Sequence, residues 1–167
     1  AAGLPEKVNI KSTDIEDALK EATDYNAVII LDHGFFVAGA GSLLQKKPKL
    51  LEFFHGIEVY NGNAWIPIPG YLNANKKAQE FYSEIKGDFD IGALCFSDGH
   101  SIGEVGISYT NLEKFEFENE VKLLDSLKDS IKQHKDYSLD KKGKSPIGVI
   151  NHAIRMGLRD YLGINIR

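Results

Sequence analysis

At 167 residues the chain is long enough for one domain with a sizeable core, and 43% hydrophobic with 26% charged residues excludes a disordered composition. A net charge of −4 and a pI near 5.7 leave no chain-wide positive field to attract nucleic acid or anionic lipid, so neither a nucleic-acid nor a membrane partner is expected. One cysteine, Cys95, excludes an intramolecular disulfide; set in an apolar run, it reads as a buried thiol, and with no long apolar run or signal-peptide pattern a cytoplasmic protein is expected.

Polar capping residues Ser12-Thr13-Asp14 precede IEDALKEA, which predicts a helix from about Thr13 to Asp24. AVIILD (27–32) is apolar and β-branched up to its final acid, the pattern of a strand buried on both faces. VAGAGS (37–42) reads as a loop or helix start, and LLQKKPKLLEFF as a helical stretch interrupted by Pro48. GIEVYN (56–61) is a second strand, followed by the loop GNAWIPIPG. NANKKAQEFYSEIKG (73–87) predicts a helix stopped by Gly87, and FDIGALCFSD (89–98) a third buried strand. SIGEVGISYT predicts one helical turn and a further short strand, and the segment after it a helix from about Asn119 to His134. The α/β domain is assigned to residues 1–133; residues 134–167 are a polar linker and an amphipathic helix, with Pro146 near its first turn, packing on the same domain.

Strands alternating with helices signal parallel α/β architecture, in which chemistry collects at the carboxyl ends of the strands. His33, Asn61, Asp98 and His100 all fall at or just beyond such ends. Asp98 and His100 are two apart and point to one side of an extended chain, with Gly99 between them to allow a sharp turn. An oxygen and an imidazole donor together suit Zn, Mn or Fe better than Ca or Mg. The same two residues also describe a turn cap beside a surface histidine. His33 tilts the balance toward metal, because its strand end is equivalent to that of Asp98, and Asp32 is available as a second carboxylate or to orient His33. His55 precedes its strand and reads as structural, while His134 and His152 fall in predicted helices.

In chain order, LDHGFF resembles a strand ending in Ala-His-Pro and GIEVYNG the strand that follows it. NANKKAQEF resembles an Asn-Glu-Lys-Ala helix, and FSDGHSIGEVGISYT is similar to Ser-Asp-Ala-His-Ser with a Val-Gly turn. Over about residues 13 to 116 this set resembles the C-terminal half of a PHP domain (polymerase and histidinol phosphatase). The resemblance implies a partial distorted (β/α)7 TIM-like barrel and a metal-dependent phosphoesterase that uses Zn, Mn or Fe on a small-molecule phosphoester. By the matching motifs His33, Asp98 and His100 would be metal ligands, Asp98 and His100 would carry catalysis, and Glu58 and Asn61 would shape the substrate side. Trp65 and IPIPG would form a substrate wall or an ordinary packed loop.

The departures from the family pattern are Gly34, where proline is usual, and the lack of any histidine before His33, so the His-x-His strand has no counterpart here. A fragment is therefore the favoured reading, with a split half completed by another chain and a degenerate relative as competitors. Such a chain alone is expected to bind metal loosely and hydrolyse little. The alternative class is a non-catalytic interaction or assembly module, since half a barrel would expose open sheet edges and apolar faces. Arg155 and Arg159, one turn apart in the terminal helix, read as a solvated face or a phosphate contact.

Overall fold

The computed structural model describes residues 10–36, 39–64, 73–99, 102–112 and 119–137, so the expectations placed on Trp65, His100, His152, Arg155, Arg159 and the terminal helix lie outside the described residues. The elements are α1 (Ile15–Asp24), β1 (Ile30–Leu31), α2 (Gly41–Lys46), a 3-10 helix (Pro48–Phe53), β2 (Gly56–Asn61), α3 (Ala74–Ile85), β3 (Gly92–Phe96), a 3-10 turn (Ile102–Glu104) and α4 (Glu120–Gln133). Among the described residues the strands form one parallel sheet in the order β1-β2-β3, with helices between them. No helix among these residues is long and apolar enough to cross a membrane.

Local chemistry explains where the elements start and stop. Asp14 caps α1 by accepting from the Glu16 and Asp17 N–H groups, and Asn119 caps α4 by accepting from Lys122 N–H. Pro48 lacks the N–H needed to continue α2 and instead opens the 3-10 helix. The run AVIILD yields only a two-residue β1 because His55 intervenes. Its Nδ1 accepts from Ile29 N–H (3.1 Å), and its own N–H donates to Ile29 O (2.8 Å), so a side chain replaces the next ladder partner. The strand expected within SIGEVGISYT is a 3-10 turn followed by bends; Thr110 meets the sheet there through its hydroxyl rather than its backbone.

The sheet buries both faces, as its apolar strands require. On one face Ile29, Leu31, Ile57, Val59, Ala93 and Cys95 pack against α1, α2, the 3-10 helix and α3. On the other, Val28 and Leu94 meet Leu124 and Ile131 of α4. The outer edge of β3 is occupied rather than open. Cys95 N–H donates to Thr110 Oγ1 (2.7 Å), which donates back to Cys95 O (2.9 Å), and Ala93 N–H donates to His134 O (2.7 Å). The open edge expected of half a barrel is therefore satisfied on this side.

Gly92 is where α4 comes closest, since a Cβ there would lie 1.8 Å from Ile131 O. Gly92→Ala must push α4 off the sheet and is expected to cost about 3 kcal/mol in denaturant unfolding, the upper range for overpacking. A second expectation follows from His55. Burial, then the Lys128 ammonium, lowers its pKa below 6.5, so the folded state holds it neutral. That contribution is complete above pH 6.5 and is lost as pH falls, because the unfolded chain takes up the proton first. Replacing His55 with Asn should flatten the fall in unfolding midpoint between pH 7 and 5.

Candidate metal centre

The three strands end together, and each delivers an acid. β1 runs into Asp32 and His33, β2 carries Glu58 and ends at Asn61, and β3 leads to Asp98. His33 (φ 52°) and Asp98 (φ 49°) both adopt left-handed backbone, although Gly34 and Gly99 stand next to them. The sharp turn expected of Gly99 is thus made by Asp98 itself. Left-handed backbone costs a non-glycine residue about 1–2 kcal/mol, less for Asp and His than for bulkier side chains. Two such residues facing each other at strand ends mark a constrained site.

His33 is the centre of the group. Its Nδ1 lies 3.0 Å from Asp32 Oδ1 and 3.2 Å from Glu58 Oε2, and its Nε2 lies 3.4 Å from Asp98 Oδ2. Its backbone N–H also donates to Glu58 Oε2 (2.8 Å). Glu58 is only 3% exposed, and its other oxygen accepts from Asn61 Nδ2 (2.9 Å). Asn61 Oδ1 accepts from Asn63 N–H (2.8 Å), and Asn63 Nδ2 donates to the backbone carbonyl of Asp98. Asn75, from α3, clamps Asn61 by accepting from its N–H (2.8 Å) and donating to its carbonyl (3.0 Å). A continuous chain of amides therefore joins Glu58 on the central strand to Asp98 on the outer one.

The electrostatics follow from this crowding. Hydrogen bonding to Asp32, then Asp98 and Glu58, pushes the His33 pKa up to about 12, while the same contact with His33 holds Asp32 below the usual carboxylate range. One imidazolium is set against three carboxylates, so the cluster keeps surplus negative charge even when His33 is protonated.

The donor set fits a divalent ion. Asp32, His33 and Glu58 each offer a ligand atom, and these lie within 4.8 Å of one another. The mixture of imidazole and carboxylate suits Zn, Mn or Fe. On this geometry Nδ1 of His33 would face the ion, and Asp98 would sit on Nε2, the outer partner that fixes a ligating histidine's orientation. His33 and Asp98, singled out from sequence, are brought together. Glu58, expected on the substrate side, stands within the donor group, with Asn61 holding it. Asp32 also joins that group. His100 lies outside the described residues. Sequence reasoning missed Asn63 and Asn75; the only signal was asparagine recurring within YNGN after a strand end and in NAN before a helix.

Comparison of the chain with protein-family models, with curated proteins and with solved structures finds no match.

His33 supplies a direct check. In metal-free protein its ring should remain protonated across the range where an ordinary histidine titrates, so its imidazole carbon shifts are expected to stay flat from pH 5 to 9 by NMR. The stability gained from this charge is complete below pH 6.5 and is lost as pH rises toward 12. A midpoint near 6.5 would mean that the carboxylates do not hold the ring.

Proposed function

We propose that the chain is the C-terminal half of a PHP-like, metal-dependent phosphoesterase whose three strands form an arc of a distorted (β/α) barrel. The observation that carries this reading is His33 set between Asp32 and Glu58 on one ring nitrogen and Asp98 on the other, at the carboxyl ends of parallel strands. Ordered resemblance of LDHGFF, GIEVYNG and FSDGHS to the motifs of that family supports the same assignment. The working environment is a reducing cytoplasm, in which Cys95 stays a thiol.

Asp32, His33 and Glu58 would hold the ion, with His100 a further ligand by its motif. The chemistry the ion supplies when bound is acidification of water and neutralisation of phosphoryl charge. Glu58, fixed by Asn61, keeps His33 at the strand end. Asp98, about a quarter exposed, faces the open side and accepts the proton of the attacking water through a carboxylate that His33 orients. The water oxygen bonds to phosphorus, the ester P–O bond breaks, and the leaving alkoxide takes up the proton that Asp98 accepted. The remaining ligands of a full PHP cluster would come from a preceding half or a partner chain, so low activity is expected of this chain alone.

A second reading, an interaction module, is favoured by Ile102 (96% exposed) and Val105 (73% exposed), which follow Asp98 closely in the chain. The two readings separate on Asp98→Ala. A phosphoesterase should lose roughly a hundredfold or more in kcat/KM, and elemental analysis should show Zn, Mn or Fe in the wild type that falls after Asp32→Asn. Hydrolysis that survives both a chelator and Asp98→Ala would sink the metal reading.

A further inference from the structure

The sheet face that carries the cluster also carries a cavity. Val28 and Ile30 share one side of the sheet with Leu94 and Phe96 of β3, and beyond them, past the strand ends, come Asp32 and the turn residue Asp98. Each of these two columns is acidic past the strand's carboxyl end and apolar below it. Against these columns stand Leu127 on α4 and Leu112 in the chain that follows the 3-10 turn, and together they line an open cavity of about 660 Å³. That volume falls within the range of small-molecule sites. A smaller space of about 290 Å³ lies over Asp32, His33 and Asp98.

The two spaces are neighbours. Ile30, Phe96 and Asp98 line both, so the apolar cavity borders the carboxylates. Ile30, Phe96, Leu112 and Leu127 are only partly buried, which leaves apolar surface facing the space. Lower in the same columns Val28 and Leu94 are buried against Leu124 and Ile131, so the apolar surface that faces the space belongs to the partly buried residues nearer the rim. Apolar walls leading up to a charged mouth match an amphiphilic ligand with its anionic head at the cluster.

We infer that this cavity binds the alkyl or aryl ester group of the substrate, making the substrate a phosphate monoester of an apolar alcohol. The inference rests on the phosphoesterase reading for the identity of the head group. A sugar phosphate or a nucleotide would place hydroxyl or base polar atoms against Ile30, Phe96 and Leu127; besides Asp98, the described lining side chains offer the hydroxyls of Ser97, Ser108 and Thr110 and the phenol of Tyr109, and Thr110 is already engaged by Cys95.

The test is a binding series of methyl, butyl and octyl phosphate on the full chain in excess Mn2+, read by calorimetry. Affinity is expected to rise by roughly fourfold per methylene that enters the cavity. Leu127→Trp or Leu112→Trp, whichever keeps the wild-type circular dichroism, should flatten the series. Independently of any variant, octyl phosphate should shift the methyl NMR signals of Ile30, Leu112 and Leu127 in the wild type. Equal affinity along the series, or a rise that persists in a folded tryptophan variant, overturns the inference, as do unmoved methyl signals. A rise that is indifferent to Mn2+ and to Asp98→Ala, yet lost on filling the cavity, upholds the apolar pocket and removes the phosphoesterase reading of its head group.

Discussion

A carboxylate that is 97% removed from solvent at the end of a central strand has to be surrounded by donors, and Glu58 is the constraint around which the strand ends are built. It takes the backbone N–H of His33 on one oxygen and the amide of Asn61 on the other. The first bond sets the course of the chain as it leaves β1 and brings the His33 ring within reach of three acids. The second commits Asn61, whose remaining groups then engage Asn63 and Asn75. Truncating Glu58 to alanine would leave these donors facing an apolar sheet. The cluster is thus part of the folding solution as well as a site for chemistry.

The same parallel sheet gives the site its two-part character. Strands buried on both faces need apolar side chains along their length, but polar groups gather where the backbone leaves the ladder. At β1 and β3 this yields acids at the rim and Ile30 and Phe96 just beneath. Among the described residues, the opposite face is filled by side chains from four helical elements, whereas the cluster face is met by α4 and by Leu112.

Much of this was legible in the sequence. GIEVYN is β2 to the residue, and the polar residues before IEDALKEA mark their helix because an aspartate oxygen has few better uses there. His33 and Asp98 were legible as a pair because both follow apolar β-branched or apolar runs. What escaped was long-range. Nothing local says that the His55 ring takes Ile29 N–H out of the ladder and shortens β1, or that Glu58 rather than a loop acid completes the donor group. A one-residue irregularity in the register between Glu58 and Tyr60 alters which side chains of β2 face the site, and alternation alone cannot anticipate it. The strand expected near Thr110 failed for a related reason. Its hydroxyl satisfies both polar groups of Cys95, and no second backbone is needed.

That hydroxyl has a consequence for how the sheet can grow. With Cys95 held by Thr110 and Ala93 by His134, β3 has its outward backbone groups committed within the chain. A strand arriving from elsewhere would have to break these bonds to pair on that side. Thr110 and His134 thus fix where the described sheet stops, and they do so with one hydroxyl and one turn of backbone in place of a further strand.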